Sequence, residues 1–338
     1  MRDLIAAAAA ILFLGASGDA LAQCRGTNLF DVLTPGQRNE IEAAVQGVPY
    51  HQGILWRATK GDQAMTLVGT YHFDDPRHDP MLARLEPLIV QADAVFVEAG
   101  PEEERRLTRA LSSDPGLMVV STGPTLPERL DDADWQALSA AMADRGVPAV
   151  MTAKLRPWYV AMMLGISPCM MKQAGTESAQ GLDHRIIEQA RSHSVPVRAL
   201  EPWDTVFTLF GHLTPEQEIE MIRASLPAAA YADDYAVTLT EAYFAGDVWA
   251  IWEFGRFDAY RNSGLSRAQV DAQMDLAQEH LMERRNRAWI APLTAGARDA
   301  AARGKAIVAA FGALHLPGQD GVLSLLEREG WSIERLDG

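Results

Sequence analysis

Two copies of a Gly-x-x-His unit, Gly69-Thr70-Tyr71-His72 and Gly312-Ala313-Leu314-His315, each close an apolar, strand-like run, and they stand more than two hundred residues apart. An imidazole just past the C-terminal end of a strand points into the crevice where open α/β sheets bind ligands. A glycine three residues earlier lets another backbone or a ligand come close. Two further runs end in a carboxylate: Ala94-Val95-Phe96-Val97 is followed by Glu98, and Val195-Pro196-Val197-Arg198-Ala199-Leu200 by Glu201. Two imidazoles and two carboxylates gathered at strand ends have the chemistry to activate water, with or without a metal ion. Arg285 and Asn286, in the charged stretch Leu281-Met282-Glu283-Arg284-Arg285-Asn286-Arg287, could hold a carboxylate or a developing oxyanion, although the same pattern also describes a solvated helix face.

The other ionisable residues carry less. Asp183 reads as an acid in the first turn of its helix, where it suits the dipole. His78 follows Asp74 in a polar loop and could visit the site, whereas His51, His184, His193, His212 and His280 read as surface or structural residues. His-Glu-x-x-His, Gly-x-Ser-x-Gly, a phosphate loop and Gly-x-Gly-x-x-Gly are all missing, so any site is assembled from distant strands.

The elements that must position these residues follow from periodicity. Strand-like runs fall at 53–58, 65–70, 94–97, 195–200, 306–311 and 332–336, and helical spacing of apolar residues at 81–91, 132–144, 182–191, 215–226, 269–287 and 321–329. Strands separated by helices predict an α/β fold with a mainly parallel central sheet, helices on both faces and a helical insert at about 203–303. The stretches 66–97 and 306–336 share the order strand, Gly-x-x-His, loop, helix, strand, a weak internal repeat whose two loops would meet.

Residues 1–22 read as a signal peptide: Arg2, an apolar run from Leu4 to Leu14, then Ala20-Leu21-Ala22. Gln23 stands before Cys24 where a lipoprotein signal needs a small residue, so simple cleavage is expected, leaving 23–338 as one α/β domain with its insert. No later run approaches membrane-spanning length, and the expected home is the periplasm or outside the cell. The net charge of −15 disfavours nucleic acid. Cys24 and Cys169 are the two cysteines, and an oxidising compartment would let them pair.

Taken together, Leu67-Val68-Gly69-Thr70-Tyr71-His72, Val95-Phe96-Val97-Glu98, Gly181-Leu182-Asp183, Ala199-Leu200-Glu201, Glu283-Arg284-Arg285-Asn286 and the stretch from Phe311 to Val322 resemble the TraB/GumN family. That family includes PrgY and is related to the Tiki proteases. The resemblance implies a fold like that of Tiki, the erythromycin esterases and the haem-binding ChaN proteins. It also implies a metal-dependent protease in which His72, His315 and Glu98 bind the ion, with Arg285 and Asn286 matching the family's helical motif. Pro202 departs from the threonine many relatives carry after the glutamate, and Pro292 is expected to kink or end its helix.

The resulting expectation is an exported hydrolase, peptidase-like, with a peptide or protein substrate. Its divalent ion (Mn, Co, Fe or Zn) would be held by His72, Glu98 and His315. Glu98 or Glu201 would take the proton of water, and Arg285 with Asn286 would hold substrate or oxyanion. The alternatives are a metal-free His/Glu hydrolase and a non-catalytic peptide-binding or haem- or iron-binding protein.

Overall fold

The computed structural model describes residues 24–174, 180–211 and 213–337; the expected signal segment and His212 lie outside the described residues. Six strands, β1 (Leu55–Lys60), β2 (Gln63–Thr70), β3 (Val95–Val97), β4 (Val197–Ala199), β5 (Ile307–Gly312) and β6 (Ser332–Arg335), form one sheet in the order β4-β3-β5-β2-β1-β6. The four strands β4, β3, β5 and β2 pair in parallel. β1 pairs antiparallel with both β2 and β6.

The sheet is therefore mixed, which corrects the expectation of a mainly parallel one. The cause is local. Only Gly61 and Asp62 separate β1 from β2, and so short a link permits a hairpin but no crossover helix. Gly61, at φ +62°, supplies the left-handed backbone that such a turn needs.

Both faces of the parallel part are covered, which is why β2 and β5 read as near-continuous apolar runs rather than alternating ones. On one face Leu67, Phe96, Ala309 and Phe311 pack with Trp289, Leu293 and Ala297 of helix Arg284–Ala301 and with Leu323 and Leu326 of helix Val322–Arg328. On the other, Val68, Val95, Val308 and Ala310 meet Leu85 and Ile89 of helix Asp79–Gln91 and Ile186 of helix Leu182–Ser192. The period-two alternation of each strand thus supplies one set of side chains to each face.

Between β4 and β5 the chain is helical, including Pro215–Ala229, Val248–Asn262, Arg267–Gln278 and Arg284–Ala301. The helix expected over 269–287 is interrupted by a π-helical turn at Glu279–Glu283. Pro292 neither ends nor limits the helix that follows, which runs on to Ala301. The buried face of Trp289, Ile290, Leu293, Ala297 and Ala300 holds it against the sheet, and this burial outweighs the backbone bond that the proline removes. Helix Pro215–Ala229 joins Asp132–Asp144 and Pro157–Leu164 around a second core that includes Leu138, Met142, Val160 and Ile222.

Cys24 and Cys169 are disulfide-bonded, tying the N-terminal segment to this second core's neighbourhood. Among the described residues no helix is long and apolar enough to cross a membrane.

Candidate active site

The four parallel strands are consecutive in the sheet and point the same way, so their C-terminal ends share one edge. Along that edge they carry, in order, Glu201 after β4, Glu98 after β3, His315 after β5 and His72 after β2. The convergence is tight. A Cβ placed on Gly312 would lie 3.2 Å from Glu98 Oε1, 3.6 Å from His315 Cδ2 and 3.6 Å from His72 Nε2. Both histidines and Glu98 therefore surround one point, which stays open because residue 312 has no side chain.

Glycines set the approach of the surrounding backbone. A Cβ on Gly69 would meet Ala313 Cα at 3.0 Å and Leu316 Cδ1 at 2.8 Å, so the first motif leaves room for the turn of the second, and the two loops do meet. A Cβ on Gly181 would overlap the backbone carbonyl of His72. That contact, with the bond from Leu182 N to Tyr71 O (3.0 Å), brings the first turn of helix Leu182–Ser192 against the first motif.

Arg285 organises the acidic half. Its Nη2 donates to Glu98 Oε2 (2.6 Å) and to Glu201 Oε2 (3.0 Å), while its Nε donates to Glu201 Oε1 (2.6 Å). Trp289 Nε1 also donates to Glu201 Oε1 (3.1 Å), and Glu98 Oε1 accepts from the Gly312 N–H (2.6 Å). All three charged side chains are largely buried. Arg285 lies two residues past the π-helical turn at Glu279–Glu283, a geometry that often marks functional positions.

His315 is fixed at both nitrogens. Arg285 Nη1 lies 3.2 Å from Nε2 and can only donate, so Nε2 is the acceptor and Nδ1 carries the proton, which it gives to Asn286 Oδ1 (2.6 Å). Asn286 Nδ2 in turn donates to Asp320 O (2.9 Å), and Trp289 lies against the ring at a centroid distance of 4.5 Å. Burial pushes the His315 imidazole down to about 3, and the Arg285 charge acts in the same sense. Burial would raise the Glu98 carboxyl, but His315, Arg285, His72 and the Gly312 N–H hold it down to about 2. For this pair we take a carboxylate facing a neutral imidazole, since Arg285 favours both states; with His315 uncharged, Arg285, His72 and the Gly312 N–H are what keep Glu98 low.

His72 is different. Its Nδ1 lies 3.2 Å from Asp183 Oδ1 and its Nε2 faces the common point. Burial against surrounding protein would lower its pKa, but Asp183 and Glu98 outweigh that and raise it to about 9. The side chain is nevertheless 60% exposed, so solvent damps the shift. Asp183, near His184 (3.2 Å) as well as His72, is held well below the usual carboxylate range; burial opposes this and the two histidines prevail.

The structure thus brings His72, Glu98, Glu201, Arg285 and His315 into one cluster, with Asn286 engaged in orienting His315 rather than facing the open point. Asp183 and Trp289 belong to it too. Asp183 holds the helix-first-turn position that the sequence predicts and takes a second role beside His72, which its place in the family stretch Gly181-Leu182-Asp183 did not specify. His78 does not visit the site: it is buried, its Nε2 lies 3.1 Å from Phe73 O, and it packs on Phe244. His51 Nδ1 lies 3.0 Å from Val48 O.

Two imidazoles and a carboxylate are donor types that suit a divalent ion. As arranged, the His315 Nε2 lone pair faces Arg285 and both Glu98 oxygens accept N–H groups. Among the described residues no group of three or more His, Cys, Asp or Glu side chains stands where it could hold a metal ion.

Fold and site together define an α/β protein with a histidine- and glutamate-lined centre at the ends of four adjacent parallel strands. The chain belongs to the TraB/PrgY/gumN family, whose model matches residues 54–335. It is also similar to the uncharacterized protein YbaP of Escherichia coli (strain K12), with 23% identity over 159 residues, 47% of this chain and 56% of YbaP. YbaP of Shigella flexneri matches to the same extent. The chain thus spans little more than half the length of the curated relatives it matches.

Proposed function

We propose that the protein is an exported hydrolase that activates water at the point above Gly312 and attacks a carbonyl centre there. The observation that carries this reading is the convergence of His72 Nε2, Glu98 Oε1 and the His315 ring on that point. Water held there by the Glu98 carboxylate gives up a proton to it as the oxygen adds to the carbonyl. His72, protonated over Asp183, delivers a proton to the leaving atom, the combination of positioned base and acid that such hydrolysis needs. Arg285 can turn part of its donor fork toward the developing oxyanion. In doing so it releases Glu98, whose basicity then rises when it is required.

Peptide bonds are the substrate class the resemblance implies, and peptides head the substrate panel. The disulfide supports an extracytoplasmic home, the periplasm or the outside of the cell.

A second reading keeps a divalent ion, and the donor set favours it. His72 Nε2, Glu98 and His315 Nε2 would hold the ion once Arg285 had given up Glu98 and His315. Bound there, the ion would lower the pKa of water and polarise the carbonyl.

The test is hydrolysis of peptide and ester panels by purified wild type after exhaustive chelation, then with manganese, cobalt, iron or zinc restored. Turnover that survives chelation and is lost in Glu98→Gln supports the metal-free site. Turnover that returns only with an ion, with ion binding lost in His72→Ala and His315→Ala, supports the metal site. Tight peptide binding without cleavage, or a haem Soret band, would move the protein to the binding class.

A further inference from the structure

The helical interval between β4 and β5 encloses an open cleft of about 670 Å³, lined by Phe210, Leu213, Met221, Ile251, Trp252 and Leu281 among others. That volume lies in the range of small-molecule sites. Leu276 and Leu281 on its wall are 43% and 37% exposed, so apolar surface faces solvent there. One wall residue is bonded to the centre described above: Leu281 belongs to the π-helical turn, and its carbonyl accepts from Arg285 Nη1 (2.8 Å).

We propose that this cleft receives the hydrocarbon chain of an acylated substrate whose carbonyl lies at Glu98; this rests on, and narrows, the hydrolase reading above. The wall argues for a hydrocarbon rather than a peptide strand. A peptide brings an N–H and a C=O with every residue, and each needs a partner away from water. Helices Pro215–Ala229, Val248–Asn262 and Arg267–Gln278 supply much of the wall and, apart from the one bond that Pro227 removes, use their own backbone groups internally.

Several polar side chains on the wall are engaged elsewhere. Gln217 Oε1 accepts from Thr214 N (2.9 Å), and Asn262 Nδ2 donates to Asp258 Oδ1 (2.7 Å). The Trp252 indole N–H has no partner, but it is sealed from water and does not face the open cleft. Met221 and Met274 add side chains that adapt to a flexible chain. In the reaction, water oxygen bonds to the acyl carbon and the bond from that carbon to the nitrogen or oxygen leaving atom breaks. One proton of water ends on the leaving atom, giving a fatty acid and an amine or alcohol.

Binding is tested without turnover, by titrating the whole mature protein with a fluorescent sixteen-carbon fatty acid. Ala224 and Ala277 line the cleft, and Ala224→Trp and Ala277→Trp would fill it. Saturable binding by wild type, weakened at least tenfold in both variants while their circular dichroism and melting curves stay unchanged, is the expected result. Wild type that does not bind the probe, or binds it no better than two folded tryptophan variants, overturns the proposal. Should either variant misfold, competition of the probe by unlabelled fatty acids of eight, twelve and sixteen carbons decides. Affinity rising with chain length supports the cleft, and equal affinity overturns it. If the probe binds as expected but no acyl ester or amide is hydrolysed, the cleft stands as a chain-binding site and the hydrolase reading falls.

Discussion

Gly312→Ala separates chemistry from folding with a single methyl group. Gly312 has φ −47° and ψ 133°, a conformation open to alanine. Its new Cβ would stand 3.2 Å from Glu98 Oε1 and 3.6 Å from the His315 and His72 rings, close to contact but without overlapping any backbone. Loss of glycine's freedom in the unfolded chain stabilises by roughly 0.4–1 kcal/mol. One tight contact in a well-packed place costs on the order of 1 kcal/mol. The two nearly cancel, so the melting temperature should stay within about 4 °C of wild type. Activity should not survive so well, because the methyl occupies the space where water and carbonyl meet. A misplacement of about 1 Å at a reacting centre costs roughly 100-fold.

Gly69→Ala is the contrast. Its Cβ would press on Ala313 Cα at 3.0 Å, which is backbone and cannot step aside, so a stability loss of about 1–3 kcal/mol is expected there. Thermal melts by circular dichroism and initial rates on the best panel substrate read both effects. A folded Gly312→Ala protein that keeps more than half of the wild-type rate would show that the chemistry lies elsewhere.

Asp183→Asn should drop the His72 pKa from about 9 toward or below its ordinary 6.5, because the neutral amide no longer offsets burial; NMR titration of the ring checks this, and an unmoved pKa would refute the pairing. His72 and His184 are both raised, to about 9 and about 10, so the stability they contribute is full below pH 6.5 and is lost as pH rises through those values. Melting temperature should therefore fall across that alkaline window in wild type and less so in Asp183→Asn. Arg285→Met leaves Glu98 and Glu201 without their shared cation and should cost about 3–5 kcal/mol in chemical denaturation. Replacing Cys24 and Cys169 with serine opens a loop of 145 residues and should cost roughly 2–5 kcal/mol by the same assay.

The strand ends were legible because apolar runs stop abruptly at His72, Glu98, Glu201 and His315, and the observed strands lie within two or three residues of those runs. Their common edge followed from parallel pairing, which holds for β2, β3, β4 and β5. The reversed β1 was missed because the strand–helix alternation was extended over a gap too short for a helix. Composition alone left Arg285 and Asn286 open between a solvated helix face and a role in the site, because helical spacing does not reveal the π-helical turn at Glu279–Glu283 just before them. Asp183 reaches His72 only because Gly181 fits against the His72 backbone, a long-range fit that no local pattern encodes. Helix Pro101–Ser113 escapes the sequence reading because charged residues dominate it and none of its residues is buried, so its few apolar positions, Leu107, Ala110 and Leu111, pack into no core.

Glu98 touches the common point directly, and its conversion to glutamine keeps size and shape while removing the charge. The most direct measurement is the initial rate of wild type and Glu98→Gln, side by side, on a substrate the wild type hydrolyses. A fall of at least about 100-fold in a protein that melts normally is the predicted result. Rates within twofold of each other would contradict the assignment of water activation to this site.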